Sequence, residues 1–134
     1  MARTAPQPAT DPSRRTSVAM PDKMRLALRH ATVEEGYGLR GKSRWVSEAL
    51  DEFLLLPEEK WVEMVAESDV PLDNTVNEYM SVDAAVWRRL QDSVLRLRHH
   101  EPTVQGPLGA IVRTAITWRI MRPVMRGFDG QTPS

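Results

Sequence analysis

The sequence contains no cysteine, which excludes disulfide bonds, thiolate zinc sites and cysteine nucleophiles. It has no apolar run approaching the roughly 20 residues needed to cross a bilayer, and Met1 to Ser13 lack the apolar core of a secretory signal peptide. No Ser-His-Asp set or carboxylate pair stands out among the charged residues, so nothing in the sequence indicates catalysis. We therefore expect a cytoplasmic protein that is not an enzyme and uses no cofactor.

The formal net charge is zero because two basic segments flank an acidic one. Residues 1–45 hold nine Lys or Arg and four Asp or Glu, residues 46–85 hold one and eleven, and residues 86–134 hold eight and three. Such a polarised distribution is compatible with binding to a polyanion despite overall neutrality. The alternative is that these charges are ordinary solvated faces.

Residues 14–56 are predicted to form a strand followed by two helices. Alternating apolar residues up to Met20 are typical of a strand with one buried face, and Pro21 suits the first turn of a helix. Gly36 and its neighbours end that helix, and Ser43 is a good N-cap for the next.

Residues 74–122 are predicted to repeat this order less regularly. Apolar residues alternate again up to Val82, although Glu78 stands where an apolar side chain is expected. Two more helices follow, the second ending at about Met121 because Pro123 comes next. Residues 57–73 are interpreted as an acidic helix and linker, residues 1–13 as a disordered tail and residues 123–134 as a polar tail.

A single strand–helix–helix unit is too small to bury a stable core and leaves its strand without a partner. Two units solve both problems if their strands pair antiparallel and their helices share one core. The sequence leaves open whether this pairing occurs within one chain or between two copies.

The segments Arg14–Met24 and Gly41–Leu50 resemble the ribbon-helix-helix family, which includes the Met and Arc repressors, plasmid copy-control proteins and antitoxins. The chain as a whole is similar to tandem members of the TraY kind among plasmid conjugation proteins. The resemblance implies a mostly α fold with short β strands, a tandem ribbon-helix-helix protein. Its two strand–helix–helix units would pair into a two-stranded antiparallel ribbon.

In that family the outward-facing strand residues read bases in the major groove. The resemblance assigns this role to Arg15, Ser17, Ala19, Asn77, Tyr79 and Ser81. An arginine suits guanine, an asparagine suits adenine, and an alanine methyl suits the methyl group of thymine. The competing interpretation is a polar strand face that meets only water.

The family also holds a DNA phosphate at the N-terminus of its second helix. The resemblance assigns the phosphate contacts to Arg14, Gly41, Lys42, Ser43 and Arg44. The corresponding stretch of the second unit, residues 107–110, carries no charge. We therefore expect weaker phosphate anchoring by the second unit.

Two other patterns compete with this interpretation. Residues 36–43 satisfy the G-x-x-x-x-G-K-S phosphate loop of nucleotide-binding proteins, but a helix rather than a buried strand is predicted before them. His99 and His100 are adjacent and diverge on a helix, with no third ligand nearby in the sequence, so no metal site is expected.

These features predict a sequence-specific double-stranded DNA-binding protein, a transcriptional regulator of a mobile element or plasmid, associated with the nucleoid. Alternatives are an accessory factor in plasmid transfer or partition, or an antitoxin-like module whose helix over residues 57–67, with Trp61, binds a protein partner. The expected partners are double-stranded DNA and the chain itself, as an intrachain pseudo-dimer or a homodimer, with no membrane.

Overall fold

A computed structural model of the chain describes residues 13–69 and 71–130. Two strands and five helices follow one another as β1 (Arg14–Pro21), α1 (Asp22–Glu34), α2 (Lys42–Phe53), α3 (Glu58–Glu67), β2 (Thr75–Val82), α4 (Ala84–His100) and α5 (Pro107–Gly130). Pro21 and Pro57 precede the first turns of α1 and α3, where a proline's missing N–H costs no helical hydrogen bond. Residues 1–12, most of the predicted N-terminal tail, lie outside the described residues.

The strands β1 and β2 pair with each other, antiparallel, within the chain, and we call this two-stranded sheet the ribbon. The register runs from Arg14 opposite Val82 to Pro21 opposite Thr75. Side chains alternate between the two faces of a strand, and the inner face of the ribbon is buried and, apart from Glu78, mainly apolar. It carries Val18, Met20, Met80 and Val82.

The core lies beneath the ribbon and is centred on α2 and α5. Each of these helices contacts the other and one strand, α2 with β2 and α5 with β1. Their fully buried side chains are Trp45, Val46, Ala49, Leu50, Phe53, Ile111, Val112, Ala115 and Ile116. Burial of one large apolar side chain contributes about 1.5–3 kcal/mol, so this helix pair holds the ribbon in place from below.

The predicted fold class, a tandem ribbon-helix-helix protein, is wrong. The structure has a single two-stranded sheet and five helices around one core, which do not divide into two strand–helix–helix units. The helix α3 has no counterpart after β2, and its Trp61, Val62 and Val65 are buried in the common core. The helix α5 has 24 residues against 12 in α2. The sequence predicted this acidic helix but placed it between the two units rather than in a common core.

The end of α5 also differs from the prediction. The helix was expected to end at about Met121, with a tail from residue 123, but it continues to Gly130. A proline inside a helix removes one backbone hydrogen bond and can be tolerated when the flanking turns are otherwise stable. Among the described residues, none of the helices has the length and hydropathy of a bilayer-spanning segment.

Candidate nucleic-acid interface

The outer face of the ribbon brings together the six residues that were predicted to read bases. The register pairs Arg15 with Ser81, Ser17 with Tyr79, and Ala19 with Asn77, so that each strand supplies one member of every pair. Four of the six are exposed and two, Ala19 and Ser81, are half-buried. The prediction that these residues contact bases stays a prediction, but the structure places them on one continuous surface.

This outer face carries no carboxylate, although the chain has as many acidic as basic residues. The only acidic residue on either strand is Glu78, and its position in the alternation turns it towards the core. Its side chain is only 9 % exposed. The outward surface is therefore polar, with Arg15 as its charged member and Tyr79, 61 % exposed, at its centre.

Lys42, predicted as a phosphate contact, forms an ion pair with Glu78. The ammonium group donates a hydrogen bond to the Glu78 carboxylate beneath the ribbon. A buried carboxylate needs a partner of opposite charge, and Lys42 supplies it from the first residue of α2. Part of the positive charge expected at this helix end is thus neutralised within the protein.

Ser43 fixes the first turn of α2 against the free edge of β2. Its Oγ accepts a hydrogen bond from the backbone N–H of Ser81 at 2.9 Å, and Ser47 accepts one from Asp83 at 3.0 Å. The first intrahelical bond of α2 runs from Trp45 to Gly41, so the preceding amides have no acceptor within the helix. The N-terminus of α2 therefore lies beside the ribbon, next to Ser81, one of the predicted base-contacting residues.

The opposite edge of the ribbon is held by Arg113, which the sequence analysis did not single out. Its guanidinium donates a hydrogen bond to the Ala19 carbonyl at 2.8 Å. Gly109 lies in the first turn of α5, beside the Arg113 side chain. A Cβ added at Gly109 would lie 3.0 Å from Arg113 Nη1. The N-terminus of α5 thus flanks β1 as that of α2 flanks β2. Nothing in the local sequence distinguishes Arg113 from an arginine on the solvated face of an amphipathic helix.

The two remaining predicted phosphate contacts lie at the ends of the ribbon and of α2. Arg14 is exposed at the start of β1, with its guanidinium 5.7 Å from the centre of the Trp87 ring. Arg44 is exposed in the first turn of α2 and is bonded to Glu48, Nε to Oε2, at 3.1 Å. Both cations are accessible, although Arg44 shares its charge with a carboxylate.

A buried cation holds the turn that precedes α2. Arg119 of α5 is 6 % exposed and donates hydrogen bonds to the Trp45 carbonyl at 2.9 Å and the Tyr37 hydroxyl at 2.8 Å. The Tyr37 hydroxyl in turn donates to Glu48. This bond, together with Arg44 and Arg119, lowers the pKa of Glu48 in spite of partial burial. The network fixes where α2 begins and therefore where its first turn meets β2.

The competing motifs find little support in the described residues. The segment with the phosphate-loop pattern joins α1 to α2, with no strand before it, and its lysine and serine are bonded to β2. His100 contacts Glu58 at 2.8 Å. In the part of the chain that the structure describes, no group of three or more His, Asp or Glu side chains could hold a metal ion.

Comparison with protein-family models, curated proteins and solved structures gives no significant match.

Proposed function

We propose that the chain binds double-stranded DNA by inserting the ribbon into the major groove. That groove admits a two-stranded antiparallel ribbon, and its base edges present a distinct pattern of donors and acceptors for each base pair. The ribbon meets this geometry with a free outer face and its inner face packed on helices. The shape of the ribbon and the chemistry of its exposed side chains support the proposal.

The observation that carries the proposal is the composition of the outer face. Its six predicted base-contacting positions hold one arginine, one asparagine, two serines, one alanine and one tyrosine; the fourth outward pair is Pro21 and Thr75, and none of the eight is a carboxylate. Arginine and asparagine make bidentate contacts with guanine and adenine, and serine bonds to either. In a chain with 18 acidic residues, an exposed sheet face that excludes them is suited to a polyanion.

The helices on both sides of the ribbon supply contacts for the DNA backbone. The first turns of α2 and α5 flank β2 and β1, and unpaired amides at a helix N-terminus attract phosphate. Arg14 and Arg44 add exposed positive charge near the end of the ribbon where β1 begins. Such contacts position a protein on the duplex, whereas the ribbon face provides sequence selectivity.

The biological role that we infer is transcriptional regulation on a mobile element or plasmid, with accessory DNA binding in plasmid transfer or partition as a variant of the same activity. A protein-binding role for residues 57–67 has less support. Trp61, the anchor that such a role would use, is 3 % exposed and packs against Phe53 with 6.5 Å between ring centroids. The exposed residues of α3 are charged, which gives an interface there no apolar centre.

The proposal is tested by selecting bound duplexes from a random pool over several rounds, at two salt concentrations. We expect a consensus sequence and an affinity that falls steeply with salt, because each phosphate contact releases a counterion. Failure to recover a consensus, combined with salt-insensitive binding, would refute DNA recognition by this protein.

Two arginine variants sharpen the experiment. Arg15→Ala removes a cation from the ribbon face, whereas Arg96→Ala removes one from α4, where it is bonded to Glu58 and Asp92. Only the first should change the selected sequence. If both variants select the wild-type consensus with wild-type affinity, the ribbon is not the recognition surface.

A further inference from the structure

An apolar cleft opens between α1, α3 and α5, beside the end of β1. Its volume is about 520 Å³, within the range of about 300–1,000 Å³ that is typical of small-molecule sites. Flexible apolar side chains, which adapt to ligands of different shape, make up much of its wall. They are Met24, Met64, Leu72, Trp118 and Met121.

One wall of this apolar cleft is formed by Arg113, which has no carboxylate bonded to it among the described residues. Its one hydrogen bond, to the Ala19 carbonyl, uses Nη1. Partial burial lowers the pKa of the guanidinium, and Asp69 offsets this only through a longer-range attraction. A half-buried cation with unused donors in an apolar wall is a favourable partner for an anion.

We propose that this cleft binds a small organic acid, with its apolar body against the methionines and Trp118 and its anionic group on Arg113. A guanidinium offers its donors as a planar fork that matches a carboxylate or sulfonate. Among the described residues, the only other charged one in the wall is Glu67, which is exposed. The cleft therefore favours a ligand with one compact negative charge at one end over a dianion or a cation.

The position of Arg113 links the cleft to the ribbon. The guanidinium that would bind the ligand is bonded to Ala19, which belongs to the ribbon's outer face, and Pro21 at the end of β1 also lines the cleft. A ligand that binds the same guanidinium therefore alters the contact that holds the edge of β1. If ligand and DNA affinities are coupled, each must change the other by the same factor. This link rests on the proposed function, whereas binding in the cleft does not.

Two fluorescent probes with the same ring system test the site. Anilinonaphthalene sulfonate carries an anionic group, and N-phenylnaphthylamine is its uncharged counterpart. We expect saturable one-to-one binding of the sulfonate to the folded full-length chain without DNA, and weaker binding of the uncharged probe. Equal affinity for the two probes, or the absence of saturable sulfonate binding, overturns the proposal.

Variants locate the binding. Arg113→Met keeps the apolar stem and should weaken sulfonate binding by about 10- to 100-fold, as expected for loss of a charge-assisted hydrogen bond. Thr117→Trp fills the cleft from its exposed rim while the arginine is retained, and should also abolish binding. Arg96→Met, on α4, is the matched control and should bind as the wild type does. Unchanged affinity in both cleft variants refutes the assignment.

The link to DNA is measured separately, as the affinity of the selected duplex with and without saturating sulfonate probe. A change in the wild type that disappears in Thr117→Trp supports the coupling. No change, with probe binding intact, refutes the coupling and leaves the site itself standing. Failure of DNA binding alone would refute the proposed function and leave the probe titrations unaffected.

Discussion

Lys42 and Glu78 form an ion pair beneath the ribbon, between the first turn of α2 and the inner face of β2. This contact explains two features of the sequence at once. Glu78 interrupts the apolar alternation of β2 because its partner reaches it from below, and Lys42 follows a glycine-rich turn because it begins the helix that supports the strand. The lysine thus has a structural role independent of any phosphate.

We predict that Lys42→Met destabilises the fold by about 1–3 kcal/mol, because it leaves the Glu78 carboxylate buried without a partner. The double variant Lys42→Met with Glu78→Leu should regain most of this loss, since it replaces the pair by apolar side chains. Urea unfolding of both single variants and the double variant measures the coupling. Additive effects of the two substitutions would show that the ion pair contributes nothing specific.

Because the two ends of the ribbon carry different side chains, we predict a DNA target without twofold symmetry. Arg15 and Ser81 stand at one end, and Ala19 and Asn77 at the other, with Ser17 and Tyr79 between them. We expect Arg15→Ala to relax selection at one end of the site and Asn77→Ala at the other, each at a cost of about 1–3 kcal/mol. Repeating the duplex selection with each variant locates the two ends. A palindromic consensus in the wild type would contradict this prediction.

Removal of the buried cation should be the most damaging change outside the apolar core. Arg119→Leu removes the hydrogen bonds to Trp45 and Tyr37 and the ion pair with Glu35, and we expect a loss of about 2–4 kcal/mol. The control is Arg122→Leu on the same helix, whose partner Glu52 is more exposed, with an expected loss of about 1 kcal/mol or less. Equal losses in urea unfolding would show that the buried network adds nothing to stability.

Because the pKa of Glu48 is lowered in the folded chain, we predict that the stability of the fold depends on pH. This pKa is lowered from 4.5 in the folded chain, first by the Tyr37 hydroxyl and then by two arginines. The stabilisation is present above the unfolded pKa and is lost as the pH falls through the lower folded pKa. Between neutral and acid pH, the urea concentration at the midpoint of unfolding should therefore fall less in Glu48→Gln and Tyr37→Phe than in the wild type. An unchanged profile in both variants would contradict the assignment.

Two glycines at helix starts should respond differently to the same substitution. At Gly41 an added Cβ would lie 2.3 Å from the Tyr37 carbonyl oxygen, so Gly41→Ala must displace backbone and should cost about 1–3 kcal/mol. At Gly109 the nearest atom is the flexible end of Arg113, at 3.0 Å. Gly109→Ala should leave stability within about 1 kcal/mol of the wild type. Thermal unfolding distinguishes the two.

Local patterns in the sequence were enough to locate the strands and most helix boundaries. Alternation up to Met20 and up to Val82 predicted both strands, and proline and glycine predicted where α1 begins and ends. The predicted N-cap of α2, Ser43, is wrong, because the helix begins directly after Gly41. The same alternation placed the six outward residues on one face before their cross-strand partners were known. These features depend on neighbours in sequence, which is why they could be predicted.

The features that could not be predicted depend on contacts between distant residues. Nothing local shows that Lys42 meets Glu78, that Arg119 lies between Tyr37 and Trp45, or that Trp61 is buried in the common core. These contacts also overturn the assigned fold class, because α3 becomes part of the core and α5 runs past Pro123. A family resemblance in two short segments did not carry that information.

The strands β1 and β2 belong to the same chain, and this has a consequence for the protein at low abundance. Formation of the ribbon is a unimolecular event, so its population is independent of protein concentration, unlike a ribbon assembled from two subunits. A single molecule carries both strands of the ribbon. A ribbon that combines a mutant strand with a wild-type strand cannot arise by exchange of subunits. A substitution in one strand also leaves the sequence of the other strand unchanged, whereas in a homodimer it would occur in both.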